Sequence, residues 1–366
     1  ADLCAILLPD CGHLQEEDAE HANKHGYSKH QPALPFYTLD DAKAALGHFD
    51  PVSFDTALDM GDGISARFIP AGHLLGAASI RLTIDGRVLH FSGDVGRPTD
   101  PMMRSPDRFS GADILVTEST YGNRTHPSVD AEAELAEVIN RVVGRGGTIL
   151  VPAFAVGRVQ GVMLQIARLR ERGEIPDIPV YLNTPMGANA TDIYHRHHGE
   201  HRVSWDDCKA MFDLAVRIRT VEESKALNRD VAPKIIVSAS GMLTGGRILH
   251  HVVSFGQDPK NAIVLSGFQA GGTRGAALVS GKRALRIFGE DIPIRAEVIQ
   301  LEGLSGHADA DELLAWMGNA KPPRMTYVTH GEPDAADALR FRIEHELGWD
   351  VRVPEHLERV SIRSPQ

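Results

Sequence analysis

Between residues 68 and 124 an apolar, β-branched run breaks off three times into a small-residue loop, each carrying one polar side chain just past the strand end: His73, Asp94 and Glu118. Loops of this kind bring strand ends together on one site. An imidazole and two carboxylates, flanked by Gly and Ser that let backbone and substrate come close, suit a metal-assisted hydrolase better than a packed core. Taken singly, each residue reads as a cap or a turn. Two further segments repeat the pattern. In VIQLEGLSGHADADELLAW a strand gives way to Ser305, Gly306 and His307 before a helix opened by Asp309 and Asp311; in MTYVTHGEPDAADALRF a strand ends at His330, followed by Gly331 and Glu332. The recurrence, not any one residue, argues for a site.

The chain in order predicts a helix over 3–8 that breaks at Pro9 and resumes over 14–25, then a second helix over 38–49 that closes before Pro51. Strands follow at 66–69, 79–84 and 87–91, with Asp85 and Gly86 as a tight hairpin turn, and at 114–117. A long amphipathic helix over 128–143 has Ala131, Leu135, Val138, Ile139 and Val142 on one face. Strands and helices then alternate to about 288, which implies a parallel sheet covered by helices. This places an α/β domain at 122–290, inserted between a first part at 1–121 and a closing part at 291–366 with strands at 296–301 and 325–328.

With 366 residues, 42% of them hydrophobic, the chain can bury a large core. No apolar run approaches the roughly 18 residues a spanning helix needs, and no basic segment leads an apolar signal, so the default compartment is the cytoplasm. Cys4, Cys11 and Cys208 are too few and scattered for a disulfide framework or a cysteine zinc site. A net charge of −11 argues against a generally basic nucleic-acid coat, but not against a local Arg channel. Among the 18 histidines, His195, His197, His198 and His201 read as a solvated helix end, and His250 and His251 as packing or hydrogen-bonding residues.

The motifs AGHLLGAASI, FSGD, ESTYGNR, PAFAVGR, SGMLTGGR, LSGHADADELL and THGE, in this order, resemble the β-CASP branch of metallo-β-lactamase-fold RNA nucleases. The resemblance covers nearly the whole chain. It implies an α/β fold, α+β in part: an αββα sandwich with an inserted β-CASP domain. It makes His73 and His330 terminal metal ligands, Asp94 the carboxylate bridging two ions, and Glu118 and His307 the acid/base pair. The implied cofactor is two Zn²⁺ per complete site, with Mn²⁺ tolerated by the same N/O ligands. Two ions about 3.5–4 Å apart suit in-line attack on phosphorus, and an imidazolium held by Glu118 suits protonation of the leaving 3′ oxygen. The implied partner is single-stranded RNA, cut to 3′-hydroxyl and 5′-phosphate ends. Endonucleolytic versus 5′-exonucleolytic action stays open, as does assembly as a homodimer.

In the inserted domain, Ser240, Gly241, Thr244, Gly245 and Gly246 lie between a strand and a helix, where free N–H groups and the helix dipole favour a phosphate, with Arg247 alongside. Arg158 and Arg274 occupy similar passages. Tight packing is the competing explanation for each Gly-rich turn; beside a metal-hydrolase site these residues are expected to bind an RNA backbone.

The family's HxHxDH signature is absent from all 366 residues. What remains supplies two ligands per ion: His73 and Asp94, and Asp94 and His330. The expectation is an N-terminally truncated nuclease, inactive alone. The competing reading is a noncatalytic RNA-binding scaffold of the same fold.

Overall fold

A computed structural model describes residues 1–26, 28–128, 130–318 and 320–362. Two large sheets organise the chain, one with seven strands and one with six. The first begins as an antiparallel meander. Leu58–Gly61, Ile64–Pro70, Ala78–Ile84 and Arg87–Phe91 pair in sequence. Asp85 and Gly86 both have positive φ, 51° and 76°, as a two-residue hairpin turn requires. Beyond Arg87–Phe91 the sheet turns parallel: Ile114–Thr117 is next, then Met325–Val328, then Val351–Arg352.

Alternation along these strands sorts the core. Leu115 and Val328 face the helices Ala310–Met317 and Pro333–Arg342, in a cluster that includes Phe109, Leu313, Trp316, Met317 and Leu339. On the opposite face Leu89, Ile114 and Tyr327 are buried, while Leu82, Ile84, Val116 and Met325 around them are only half-buried. Among the described residues, this part of the molecule therefore has one sheet with a helix layer on one side.

The second sheet is built from the alternating strands and helices expected of the inserted α/β domain. Its order runs from Glu297–Leu301 through Ala262–Ser266, Ile149–Pro152, Ile235–Ser238 and Val180–Leu182 to Val216–Arg217, all parallel. The three central strands are buried throughout, as strands covered on both faces must be. Ile149, Val151, Ile235, Val237, Ala262 and Val264 pack with helices Ala131–Gly144, Arg158–Glu171 and Pro185–Arg196. Leu150, Ile236, Ile263 and Leu265 pack the other way, against Arg247–Phe255. Asp130 caps the first of these helices, accepting from the N–H groups of Glu132 and Ala133; residue 129, inside the predicted helix span, lies outside the described residues.

Three expectations change. The opening helix is continuous over Asp2–His25, with Pro9 inside it. A proline there removes one N–H bond and costs about 3 kcal/mol; packing offsets it. Gly12 lies so close to the next helix, Leu39–Leu46, that a Cβ would fall 2.8 Å from the Thr38 carbonyl oxygen. Second, the opening helix also serves the six-stranded part: Leu3 joins its core, and Asp2 accepts from His197 Nε2 at 2.9 Å. Third, Glu297–Leu301, expected in the closing segment, pairs residue for residue with Ala262–Ser266 of the six-stranded sheet. The chain returns to the first sheet only after Gly303. Among the described residues no helix is long and apolar enough to cross a membrane.

Candidate metal and catalytic site

His73, Asp94, Glu118 and His330 all follow strands of the seven-stranded sheet, and His307 follows the last-crossing strand of the other. Backbone contacts draw their loops together. The Gly96 N–H donates to the Ala71 carbonyl at 2.7 Å, and bridges join Gly72 to Val95 and Gly96 to His307. A Cβ on Gly96 would lie 2.0 Å from the Gly72 carbonyl oxygen, so that position has room only for glycine. The His330 carbonyl accepts from the Ser119 N–H at 3.3 Å, and a Cβ on Gly331 would meet Ser119 Oγ at 2.3 Å. His330 itself has φ 52°, in the left-handed region.

These contacts set Asp94 between two imidazoles. Its Oδ1 lies 3.2 Å from His330 Nε2 and its Oδ2 3.9 Å from His73 Nε2. One carboxylate thus addresses two histidines with separate oxygens. His73 has 14% of its side chain exposed and His330 62%. Burial, together with neighbouring His307, holds the His73 imidazole down at about 4, so it is neutral and able to ligate at neutral pH.

Behind them lies the second pair. Glu118 is 2% exposed. It accepts from His307 Nδ1 at 3.1 Å and from the backbone N–H groups of Val95 and Thr120. Burial alone pushes its carboxyl up, but the hydrogen bond and charge of His307 outweigh that and bring it below its ordinary value. The His307 ring packs on His73 with centroids 4.2 Å apart, and its carbonyl accepts from His126 Nε2 at 2.9 Å.

The donor set suits a divalent metal. His73, Asp94 and His307 bring ligand atoms within 4.8 Å of one another, and His73 Nδ1 is buried with no partner among the described residues. A metal-binding histidine commonly gives its second ring nitrogen to a carboxylate, carbonyl or water. Here His73 lines a cavity of about 30 Å³ together with Asp100, Arg158, Gln165, Tyr194 and Ser305. Gln165 Oε1 is likewise buried without a partner, and the space is polar and large enough for water. A second carboxylate–histidine group, His126, Asp309 and Glu312, is already spent on helix capping and backbone bonds.

The residues expected along the RNA path divide. Arg158 reaches the site: one guanidinium nitrogen lies 2.3 Å from where a Cβ on Gly306 would stand, with His73 at 3.3 Å from the same point. Arg247 instead donates to Asn183 Oδ1 and to the carbonyls of Ile218 and Arg219. Arg274 donates to the carbonyls of Arg286, Leu243 and Thr244. Ser240 and Thr244 bond to each other at 2.9 Å; Gly246 has φ 76°, and a Cβ there would sit 2.8 Å from the Ala239 carbonyl oxygen. Gly241 lies against Phe154, and Gly245 faces open space.

The histidines at 250–251 and 195–201 are held by packing and hydrogen bonds. His250 stacks on Phe288 and His251 bonds Asn183 and Asn228, as packing or hydrogen bonding predicts. The 195–201 group is less solvated than expected: His201 is buried and bonds the Tyr194 carbonyl, and His195 and His198 pack on Trp205. The motif spacing could not point to the supporting residues Ser119 and His126, whose partners are remote in sequence.

Family profiles match two stretches, a "Beta-Casp domain" over residues 159–278 and a "Zn-dependent metallo-hydrolase RNA specificity domain" over residues 291–354. The chain is 37% identical over 316 residues to Ribonuclease TTHA0252 of Thermus thermophilus, covering 83% of this chain and 71% of that protein. It is 31% identical to an RNase J-like protein of Methanocaldococcus jannaschii, over 81% of this chain and 70% of the relative. It is 32% identical to Transcription termination factor FttA of Pyrococcus abyssi; that alignment takes in 99% of this chain but 56% of the relative's length.

Proposed function

Because the chain belongs to the β-CASP family of metallo-β-lactamase-fold RNA nucleases, we propose that its loop-end site hydrolyses RNA phosphodiester bonds, with zinc as the metal and His73, Asp94 and His330 among its ligands. The observation that carries this reading is the single carboxylate of Asp94 offering one oxygen to each of two histidines from different strand ends. A bound pair of divalent ions supplies charge neutralisation at the phosphate and acidification of the attacking water.

The chain's own residues do the rest. Glu118, ionised and buried, holds the Nδ1 proton of His307, which fixes the imidazole's orientation and leaves Nε2 as the atom that transfers a proton to the departing 3′ oxygen. His307 is close enough to Asp94 and His73 to ligate; its bond to Glu118 favours the acid role. Arg158, beside Gly306 and His73, is placed to hold a phosphate oxygen, as a planar five-donor cation does well. In this reading Arg247 and Arg274 shape the Gly-rich loop, and the phosphate meets the loop's remaining donors.

A scaffold that binds RNA without cutting it is the second reading. It keeps the same fold and the same Arg and Gly loops, and needs no metal. Elemental analysis of metal content, with a labelled single-stranded RNA assayed in parallel, separates the two. The nuclease reading expects metal and cleavage once the protein carries an HxHxDH-bearing segment upstream, both lost in Asp94→Ala. RNA binding with neither metal nor cleavage establishes the scaffold.

A further inference from the structure

The loops at the carboxyl ends of the six-stranded sheet run into the metal site. Arg158 touches the Gly306 backbone, Gly267 packs within 3.7 Å of Ser305 as measured from an added Cβ, and the Phe268 ring meets Tyr121 with centroids 5.7 Å apart. In parallel sheets this edge is where ligands bind. On it stands a side chain that nothing above uses. Phe154 follows the strand Ile149–Pro152 by two residues and is 41% exposed, between Ala153 and Ala155, which are buried.

Its projection into solvent is built into the fold. The Ala153 N–H donates to the Ser238 carbonyl at 3.0 Å, and the Phe154 carbonyl accepts from the Val159 N–H at 3.0 Å, so the backbone is pinned on both sides. The ring rests on Gly241: a Cβ there would stand 3.0 Å from Cδ2 and 3.1 Å from Cε2. Glycine at 241 lets the backbone approach the ring where a side chain would push it away. Phe288 and Phe341 are also exposed, but each already stacks on a histidine, with centroids 4.6 and 3.8 Å apart. Among the described residues no ring is paired with Phe154.

We propose that Phe154 is a stacking platform for one base of single-stranded RNA, the base whose neighbouring phosphate lies toward Arg158. The proposal rests on the RNA-hydrolase reading and adds a base subsite to it. Every base has a π face, so such a platform binds without choosing sequence. It also gives Gly241 a role distinct from phosphate binding, as the seat of the ring.

The test uses the full chain and an oligoribonucleotide carrying 2-aminopurine at successive positions. With wild type, fluorescence is expected to be quenched at one register. Phe154→Ala and Phe154→Leu should abolish that quench and weaken binding about 5- to 150-fold, with the salt slope of binding unchanged, because no phosphate contact is lost. Phe154→Trp should keep both affinity and quench, and an abasic nucleotide at the quenched register should bind wild type and Phe154→Ala alike. Thermal midpoints of the variants close to wild type establish that the effect is local. Wild type that binds RNA while the Ala and Leu variants bind equally, with the quench intact, overturns the platform alone. Wild type that binds no RNA overturns the RNA reading and the platform with it.

Discussion

At the ends of the seven-stranded sheet, functional groups are left over; at the Gly-rich loop of the six-stranded sheet, they are spent. Among the described residues His73 Nδ1 is buried without a partner, and Asp94 lies between two histidines. By contrast, Arg274 ties down the carbonyls of Leu243 and Thr244, Arg247 ties Asn183 to Ile218 and Arg219, and Ser240 and Thr244 satisfy one another. A buried polar group without a partner costs stability and persists where something else is to complete it. A satisfied network instead rigidifies the backbone that carries it. Similar-looking loops, both Gly-rich and both at strand ends, therefore differ in what they leave available: one has polar groups to spare, the other has tied most of its side chains to its own backbone.

Asp94→Ala tests the reactive side most severely. It should remove bound metal and RNA cleavage together, as measured by elemental analysis and a gel assay of the complete enzyme; metal retained at wild-type stoichiometry would break the bridging assignment. His307→Ala comes next, lowering turnover about 10²- to 10⁴-fold while metal stays bound. Equal metal loss in both variants would make His307 a ligand and not the acid.

The satisfied side predicts a different signature. Arg247→Ala and Arg274→Ala each strip several hydrogen bonds, of which those to the Ile218 and Leu243 carbonyls are half-buried and those to Arg219, Thr244 and Arg286 exposed, and should lower stability by about 1–3 kcal/mol in denaturant titration, leaving the salt dependence of RNA binding unchanged. A slope reduced by about one would instead put that guanidinium on a phosphate.

Two buried histidines sharpen the contrast further. Burial holds both His90 and His251 down at about 4, helped by nearby arginines. As pH falls from about 6.5 toward 4, the unfolded chain takes up protons that the folded chain refuses, so stability declines across that window and is level above it. His90 sits among Phe109 and Trp316 with neither ring nitrogen bonded, whereas His251 bonds Asn183 and Asn228. His90→Phe should make the acid decline shallower at little cost near neutrality. His251→Phe should also flatten it, yet destabilise at every pH by removing the imidazole's bonds to Asn183 and Asn228; thermal midpoints across pH 4–8 separate the cases.

How far the sequence could be read follows the same division. A polar residue just beyond an apolar run is visible along the chain, and the structure brings His73, Asp94, Glu118, His307 and His330 to one place. The hairpin at Asp85 and Gly86 and the strand at 114–117 were equally legible, since turn chemistry and periodicity are local. The sheet to which 297–301 belongs was not, because a strand's partner is fixed by a neighbour far away in sequence. The partners of Arg247 and Arg274 were hidden for that reason: spacing identifies a donor and says nothing of which carbonyl it meets. Pro9 misled because the packing that carries the helix through it involves Thr38 and the β-CASP core.

The parallel neighbours Ile114–Thr117 and Met325–Val328 have the entire six-stranded sheet between them in sequence. Closing so long a flexible loop costs entropy before any contact rewards it. Once the intervening sheet has folded, its entry at Tyr121 and its exit near Asp309 already lie side by side, joined by a backbone bridge. The β-CASP part therefore acts as an internal splint, shortening the search by which the two strands meet. His330, carried just past the second of them, meets Asp94 only when those two strands are paired, so the contact between them reports on the folding of the whole chain.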